Sequence, residues 1–184
     1  MGIRNQKKMT VEELEKIIKT GDVVLSRTGF NIFNPLSYLS AAIRLFAKTH
    51  YNHASLVIFN WGKPFTNEAI GRGVITHRFG TRIKGKEVKI LRPKKFINRS
   101  QVARTANQVT GLSKYDFVGL IHQAIYLTTG KWFGKETDAA ANRMYCFEYV
   151  AWVYKRWFPE WYRVTPGEII NGKEFKTVLT TTVE

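Results

Sequence analysis

Chemistry is most legible around Cys146, the single cysteine of the chain, in the run Arg143-Met144-Tyr145-Cys146-Phe147-Glu148-Tyr149-Val150. A thiol at the front of an amphipathic helix meets unsatisfied backbone N–H groups, and these favour the thiolate that attacks a carbonyl carbon. His53 opens a strand-like segment and shares its phase with Ser55, Val57 and Phe59, so its ring can face a cleft while its neighbours stay packed. Glu68 falls in the next strand-like segment, where it can hold the ring in one tautomer and leave the other nitrogen facing sulfur. Cys146 as nucleophile, His53 as base and Glu68 as orienting acid would make an acyl-transfer site. The oxyanion would fall to the backbone N–H of Cys146, with Tyr51 or Asn52 as weaker side-chain donors.

Each of these residues also has a plainer reading. Cys146, Tyr149, Val150 and Val153 fit a core stripe, and Glu68 fits a solvated or salt-bridged carboxylate. A metal site built from Cys146 and two of His50, His53, His77 and His122 lacks the close ligand spacing of a zinc motif. A nucleic-acid binder is suggested by charge and aromatic content, but the chain carries no CxxC pair, RNP-like strand or glycine-rich phosphate loop. A catalytically idle interaction module is a further alternative, most of all if the bulky Phe147 blocks the cleft.

The elements that must position these groups follow from pattern. Thr10 with Glu13 three residues on forms a capping box for a short helix through Ile18, with Gly21 beyond its end. Val23–Leu25 reads as a strand, then a loop from Thr28 to Pro35. Leu36–Lys48 reads as a helix with Leu39, Ile43 and Phe46 on one face. Strands are expected over Ala54–Phe59, Phe65–Ile70, Gly73–His77 and Glu87–Leu91, with Asn60–Pro64 as a turn. Helices are expected over Asn98–Val109, Tyr115–Thr129 (apolar, and read as buried) and Tyr145–Trp157, with a polar connection over Trp132–Asn142. The tail from Arg163 to Val178 reads as short extended pieces. Strands in the first half and the largest helices in the second imply α+β, a helix-flanked antiparallel sheet.

A chain of 184 residues suits one domain, 1–184, and its lone thiol rules out an internal disulfide. The basic N-terminus runs into polar residues without an apolar h-region, so no secretory signal is evident and a cytoplasmic location is the default expectation. A net charge of +15 favours encounter with polyanions. Arg82–Arg104 holds nine basic residues against Glu87 alone, which makes it either a solvated face or a surface for an anionic lipid, nucleic acid or polymer.

Four stretches in this order carry a resemblance: Gly21-Asp22-Val23-Val24-Leu25, then Tyr51-Asn52-His53-Ala54-Ser55-Leu56-Val57-Ile58, then Asn67-Glu68-Ala69 with Gly73-Val74, and last Tyr145-Cys146-Phe147-Glu148-Tyr149-Val150. Over roughly Gly21 to Pro166 the chain resembles the circularly permuted branch of the NlpC/P60 papain-like superfamily. More closely, it resembles the YiiX/YebB-like permuted amidases, relatives of the lecithin:retinol acyltransferase-like enzymes. The resemblance implies a papain-like sheet or half-barrel flanked by helices, with the cysteine helix last because the chain is permuted. It also implies His53 as base, Glu68 as orienting acid and Cys146 as nucleophile, in a cysteine amidase or peptidase, or a lipid-directed acyl hydrolase or transferase. No metal or organic cofactor is needed. Tyr115-Asp116-Phe117 matches a family habit to which no chemistry is assigned, and Phe147 departs from the small residue that often follows the family cysteine. The Leu36–Lys48 and Arg82–Arg104 segments could shape an acyl pocket.

Overall fold

Strand residues that are apolar on both faces need cover on both faces, and that requirement organises this fold. The computed structural model describes residues 8–27, 49–134 and 142–184. The expected loop at Thr28–Pro35, the expected helix at Leu36–Lys48 and part of the polar connection before Asn142 lie outside the described residues. An open antiparallel sheet carries the order β4-β3-β2-β1-β5-β8. Its strands are β1 (Val23–Ser26), β2 (His53–Asn60), β3 (Lys63–Ile70), β4 (Gly73–Arg78), β5 (Glu87–Pro93) and β8 (Phe175–Thr182). A parallel two-stranded pair, β6 (Lys114–Tyr115) with β7 (Arg143–Met144), stands apart. The α+β expectation is therefore met.

One face of the sheet presents Val23, Leu25, Ala54, Leu56 and Ile58 to helix α5 (Cys146–Val153) and helix α3 (Arg99–Gln108). The other presents Val24, Val57, Val88 and Ile90 to Leu14 of helix α1 (Val11–Glu15) and to Phe79 and Ile83 of helix α2 (Phe79–Ile83). Burial on both faces explains why β2 reads as a nearly continuous apolar run rather than an alternation. Helix α5 is the centre of the larger core, with all eight of its residues buried.

Several boundaries differ from the sequence expectation. Helix α1 carries the Thr10–Glu13 capping box but ends at Glu15, three residues before Ile18. The β2–β3 turn is only Trp61-Gly62, both at positive φ (48° and 73°), so Lys63 and Pro64 join the strand; a tight hairpin of this kind matches the twist of the strands it joins. The cysteine helix stops at Val153, well before Trp157. Gly21 has φ +90°, and a Cβ there would meet Ile97 Cδ1 at 2.7 Å and the Tyr154 hydroxyl at 2.9 Å, so only glycine fits where β1 begins.

The tail is not a set of extended pieces. A 3₁₀ turn (Trp161–Arg163) leads to helix α6 (Pro166–Asn171), which has Pro166 in its first turn and a Thr165–Glu168 capping box, and β8 then pairs along β5 as an outer strand. Helix α2 has no side-chain N-cap and only five residues, so pattern did not reveal it. Helix α4 (Phe117–Thr129), expected to be buried, is not: Gly119, Leu120 and Gln123 pack inward, while Phe117, Val118 and Ile121 are 42%, 52% and 54% exposed.

Candidate active site

Cys146 is the first residue of α5. The chain enters from β7 with Tyr145 extended, and Glu148 Oε2 accepts the Tyr145 N–H at 3.0 Å, the half of a capping box that fixes where the helix starts. The Tyr145 hydroxyl is used elsewhere, its one proton shared between Gln123 Oε1 at 3.0 Å and the Val164 carbonyl at 3.1 Å. The thiol is buried, with Sγ 4.0 Å from the Asn52 carbonyl. Cys146, Tyr149, Val150 and Val153 do belong to the core, so the core-stripe reading describes their packing.

His53 is the first residue of β2, next to Asn52. Its Nε2 lies 2.5 Å from Glu68 Oε2, and the Cys146 side chain is near enough to the ring to act on its protonation. Strand phase puts His53 with Val57 on the face covered by α1 and α2, whereas α5 covers the opposite face. Ring and thiol therefore come near one another at the end of the sheet, where a strand's first residue can reach round to the other layer. Burial alone would hold the ring neutral, but the Cys146 and Glu68 side chains and their charges outweigh it and lift His53 to about 9.

Glu68 is 1% exposed and does not depend on His53 alone. Arg82 of α2 grips it with both arms, donating from Nε to Oε1 at 2.7 Å and from Nη2 to Oε2 at 3.2 Å, and the Thr66 hydroxyl approaches Oε1 at 3.5 Å. Burial pushes the carboxyl up, yet the His53 and Arg82 hydrogen bonds and charges prevail and bring it down to about 2. Glu68 is thus a buried carboxylate that stays charged through ordinary pH. Sequence reading placed Arg82 in a basic run; its role depends on α2, which lacked a signal.

Other groups separate. Tyr51 turns its hydroxyl to Glu87 at 3.5 Å, and His50 Nε2 lies 2.8 Å from Glu87 Oε2. His122 packs edge-on to Trp132. Among the described residues no three His, Cys, Asp or Glu gather as a metal-holding group, so the metal reading of Cys146 with His50, His77 or His122 finds no assembled ligand set. Phe147, 0% exposed, belongs to the core.

Tyr115, which the sequence marked only as part of a family habit without chemistry, lies close to the cysteine. The β6–β7 pairing sets it opposite Met144, two residues before the cysteine. Burial, followed by the charges of Cys146, Glu148 and Asp116, holds its phenol well above the usual tyrosine range, which keeps it a neutral donor. Beside α5 lies a cavity of about 600 Å³ lined by Asp116, Val118, His122, Trp132, Arg143 and Glu148, among others.

A family model described as the permuted papain-like amidase enzyme, YaeF/YiiX, C92 family, matches residues 17–165. The chain belongs to this family. The match takes in His53, Glu68, Arg82, Tyr115 and Cys146, and the amidase-type hydrolytic character of the family extends to the chain as a member. A crystal structure described as that of metalloprotein yiiX from Escherichia coli O157:H7 is similar in fold, with a TM-score of 0.54 at 17% identity over 87% of this chain and 96% of that one. No curated protein matches the chain.

Proposed function

We propose that this family member is a cysteine-dependent amidase or peptidase working through Cys146, His53 and Glu68. The observation that carries the reading is the His53 ring, whose Nε2 pairs with the buried, charged Glu68 and whose protonated form both Glu68 and the Cys146 side chain favour. In the proposed reaction the thiol proton passes to His53, Cys146 Sγ attacks the amide carbonyl, and the imidazolium returns the proton to the departing amine. Water, activated by the same ring, then attacks the thioester and releases the carboxylic acid and the free thiol. Glu68 remains ionised and supports the imidazolium, with Arg82 as the residue that positions Glu68.

The backbone N–H of Cys146 at the helix start is our candidate for the first oxyanion donor, and the neutral Tyr115 phenol for the second. The same machinery cleaves an acyl ester, so peptide amides, wall peptides and lipid esters are the substrate panel. Arg82–Arg104 is less available for polyanions than its composition suggests: Arg82 holds Glu68, Arg92 holds Asp22, Lys95 pairs with Glu174 and Arg99 donates to the Thr20 carbonyl.

The test is the rate of iodoacetamide alkylation of Cys146 by intact mass, across pH, for wild type, His53→Ala and the unfolded chain. A rapid reaction in the folded protein that His53→Ala slows by tenfold or more supports the reading. A thiol that reacts only on unfolding, indifferent to His53, overturns it, and turnover of the amide and ester panel then identifies the bond in the first case alone.

A further inference from the structure

Helix α4 is uncharged and largely apolar, yet among the described residues only one side of it is buried in the core. Its thirteen residues contain no Asp, Glu, Lys or Arg. Gly119, Leu120 and Gln123 form the inward stripe, and Phe117, Val118 and Ile121 look outward. Leu112 (77% exposed) and Phe133 (63%) extend the same region: Leu112, Val118 and Trp132 line one cavity, and Phe133 follows Trp132 directly. Of the large apolar side chains that the described residues expose, all but Trp61 and Phe96 fall here. Ordinary surface leucines and phenylalanines are scattered singly, so a gathering of this kind marks a contact surface.

The exposed charged side chains that the described residues place beside this region are basic. Lys114 and Arg143, paired across β6 and β7, stand at the front of α4 on the cavity rim, and Lys131 follows its C-terminal Gly130. All three are exposed, and none takes part in an ion pair among the described residues. The two acids on the cavity are less accessible than these cations. Asp116 caps α4, accepting the Gly119 N–H at 2.8 Å, and Glu148 is 4% exposed, its carboxyl raised well above the usual range by burial first and then by the Asp116 and Cys146 charges.

We propose that the α4 face is a docking surface for an anionic lipid bilayer, with Phe117, Val118, Ile121, Leu112 and Phe133 entering the interface and Lys114, Arg143 and Lys131 meeting the headgroups. An exposed apolar helix face with cations at both ends suits a headgroup layer, and no helix among the described residues is long and apolar enough to cross one. The docking is independent of Cys146 chemistry: it sets where the protein works, whichever bond it cleaves.

The test is co-sedimentation of the full chain with unilamellar vesicles of phosphatidylcholine alone and of phosphatidylcholine with phosphatidylglycerol. Binding to the anionic vesicles should exceed binding to the neutral ones at least tenfold and weaken with salt. The double variant Val118→Ser with Ile121→Ser should lower it by a further tenfold or more, and Lys114→Gln with Lys131→Gln should flatten the salt dependence. Both variants should keep the wild-type circular dichroism spectrum and Cys146 alkylation rate. As a measurement needing no variant, hydrogen exchange with anionic vesicles should newly protect Phe117–Thr129. Equal binding to both vesicle types, protection elsewhere than α4, or equal competition by a soluble polyanion would each overturn the proposal. So would a lipid-free dimer in sedimentation equilibrium that the Val118/Ile121 variant dissociates, because the face would then belong to a second copy of the chain.

Discussion

Replacing Arg82 by Met removes two charge-assisted hydrogen bonds, at 2.7 and 3.2 Å, from a carboxylate that is 1% exposed. Removing one partner of a fully buried ion pair costs about 3–5 kcal/mol. The Arg82 side chain is 30% exposed, so water reaches the vacated side and the expected cost is at or below the lower end, about 2–3 kcal/mol. For a domain of this size that lowers Tm by roughly 4–12 °C. The pH dependence is the sharper readout. Glu68, held down to about 2, contributes stability that is present above the ordinary glutamate range and is lost as pH falls through about 2. Without Arg82 the carboxyl protonates at higher pH, its contribution at neutral pH shrinks, and the imidazolium of His53 loses its support earlier on acidification. The acid limb of the Cys146 alkylation profile should therefore move up by about one pH unit or more in Arg82→Met. Arg82→Lys, which keeps the charge but not the two-armed fork, should fall between. Lys86 provides an internal check. Burial first, and then the Arg82 charge, depress its pKa, so removing Arg82 relieves it and lets it stand in for the lost cation. Arg82→Met with Lys86→Met should consequently cost more than the two single changes added together. An Arg82→Met protein with wild-type melting and an unmoved acid limb would refute the reasoning.

Three further outcomes are expected. His53, raised to about 9, contributes stability that is full below about pH 6.5 and is lost as pH rises through about 9, so His53→Gln should flatten the alkaline side of the unfolding free energy against pH. Tyr115→Phe should lower kcat on an amide or ester substrate by about 10²-fold, the scale of one oxyanion donor, while leaving the iodoacetamide rate within about twofold of wild type, since alkylation forms no oxyanion. Phe147→Ala, at a position 0% exposed, should cost about 3–5 kcal/mol in urea unfolding and leave the alkylation pH profile of the surviving folded protein unchanged, because that side chain fills the core and not the cleft.

What the chain dictates locally was legible locally. Short segments holding β-branched and aromatic residues between turn residues marked β2, β3, β4 and β5, Thr10 and Glu13 marked the front of α1, and the order of His53, Glu68 and Cys146 matched a permuted family. Turn and helix ends were read less well, because Trp61 takes a positive φ and Tyr154 ends α5 through contacts distant in sequence. The site's supporting residues were beyond reach of pattern altogether. Arg82 lies 14 residues from Glu68 on an uncapped helix of five residues, and Tyr115 joins the cysteine through a two-residue strand pair; neither leaves a periodic trace.

Residue types and their order determined that a thiol, an imidazole and a carboxylate were available, and that two of them would sit in an antiparallel sheet flanked by helices. Only the tertiary structure decided that ring and thiol come near one another at the end of that sheet, that Glu68 is charged because His53 and an arginine from a neighbouring helix hold it, and that a largely apolar helix leaves Phe117, Val118 and Ile121 exposed. The reason is physical: hydrophobic pattern reports which side of an element is buried, whereas charge state and exposure depend on what the rest of the chain brings to within a few ångströms.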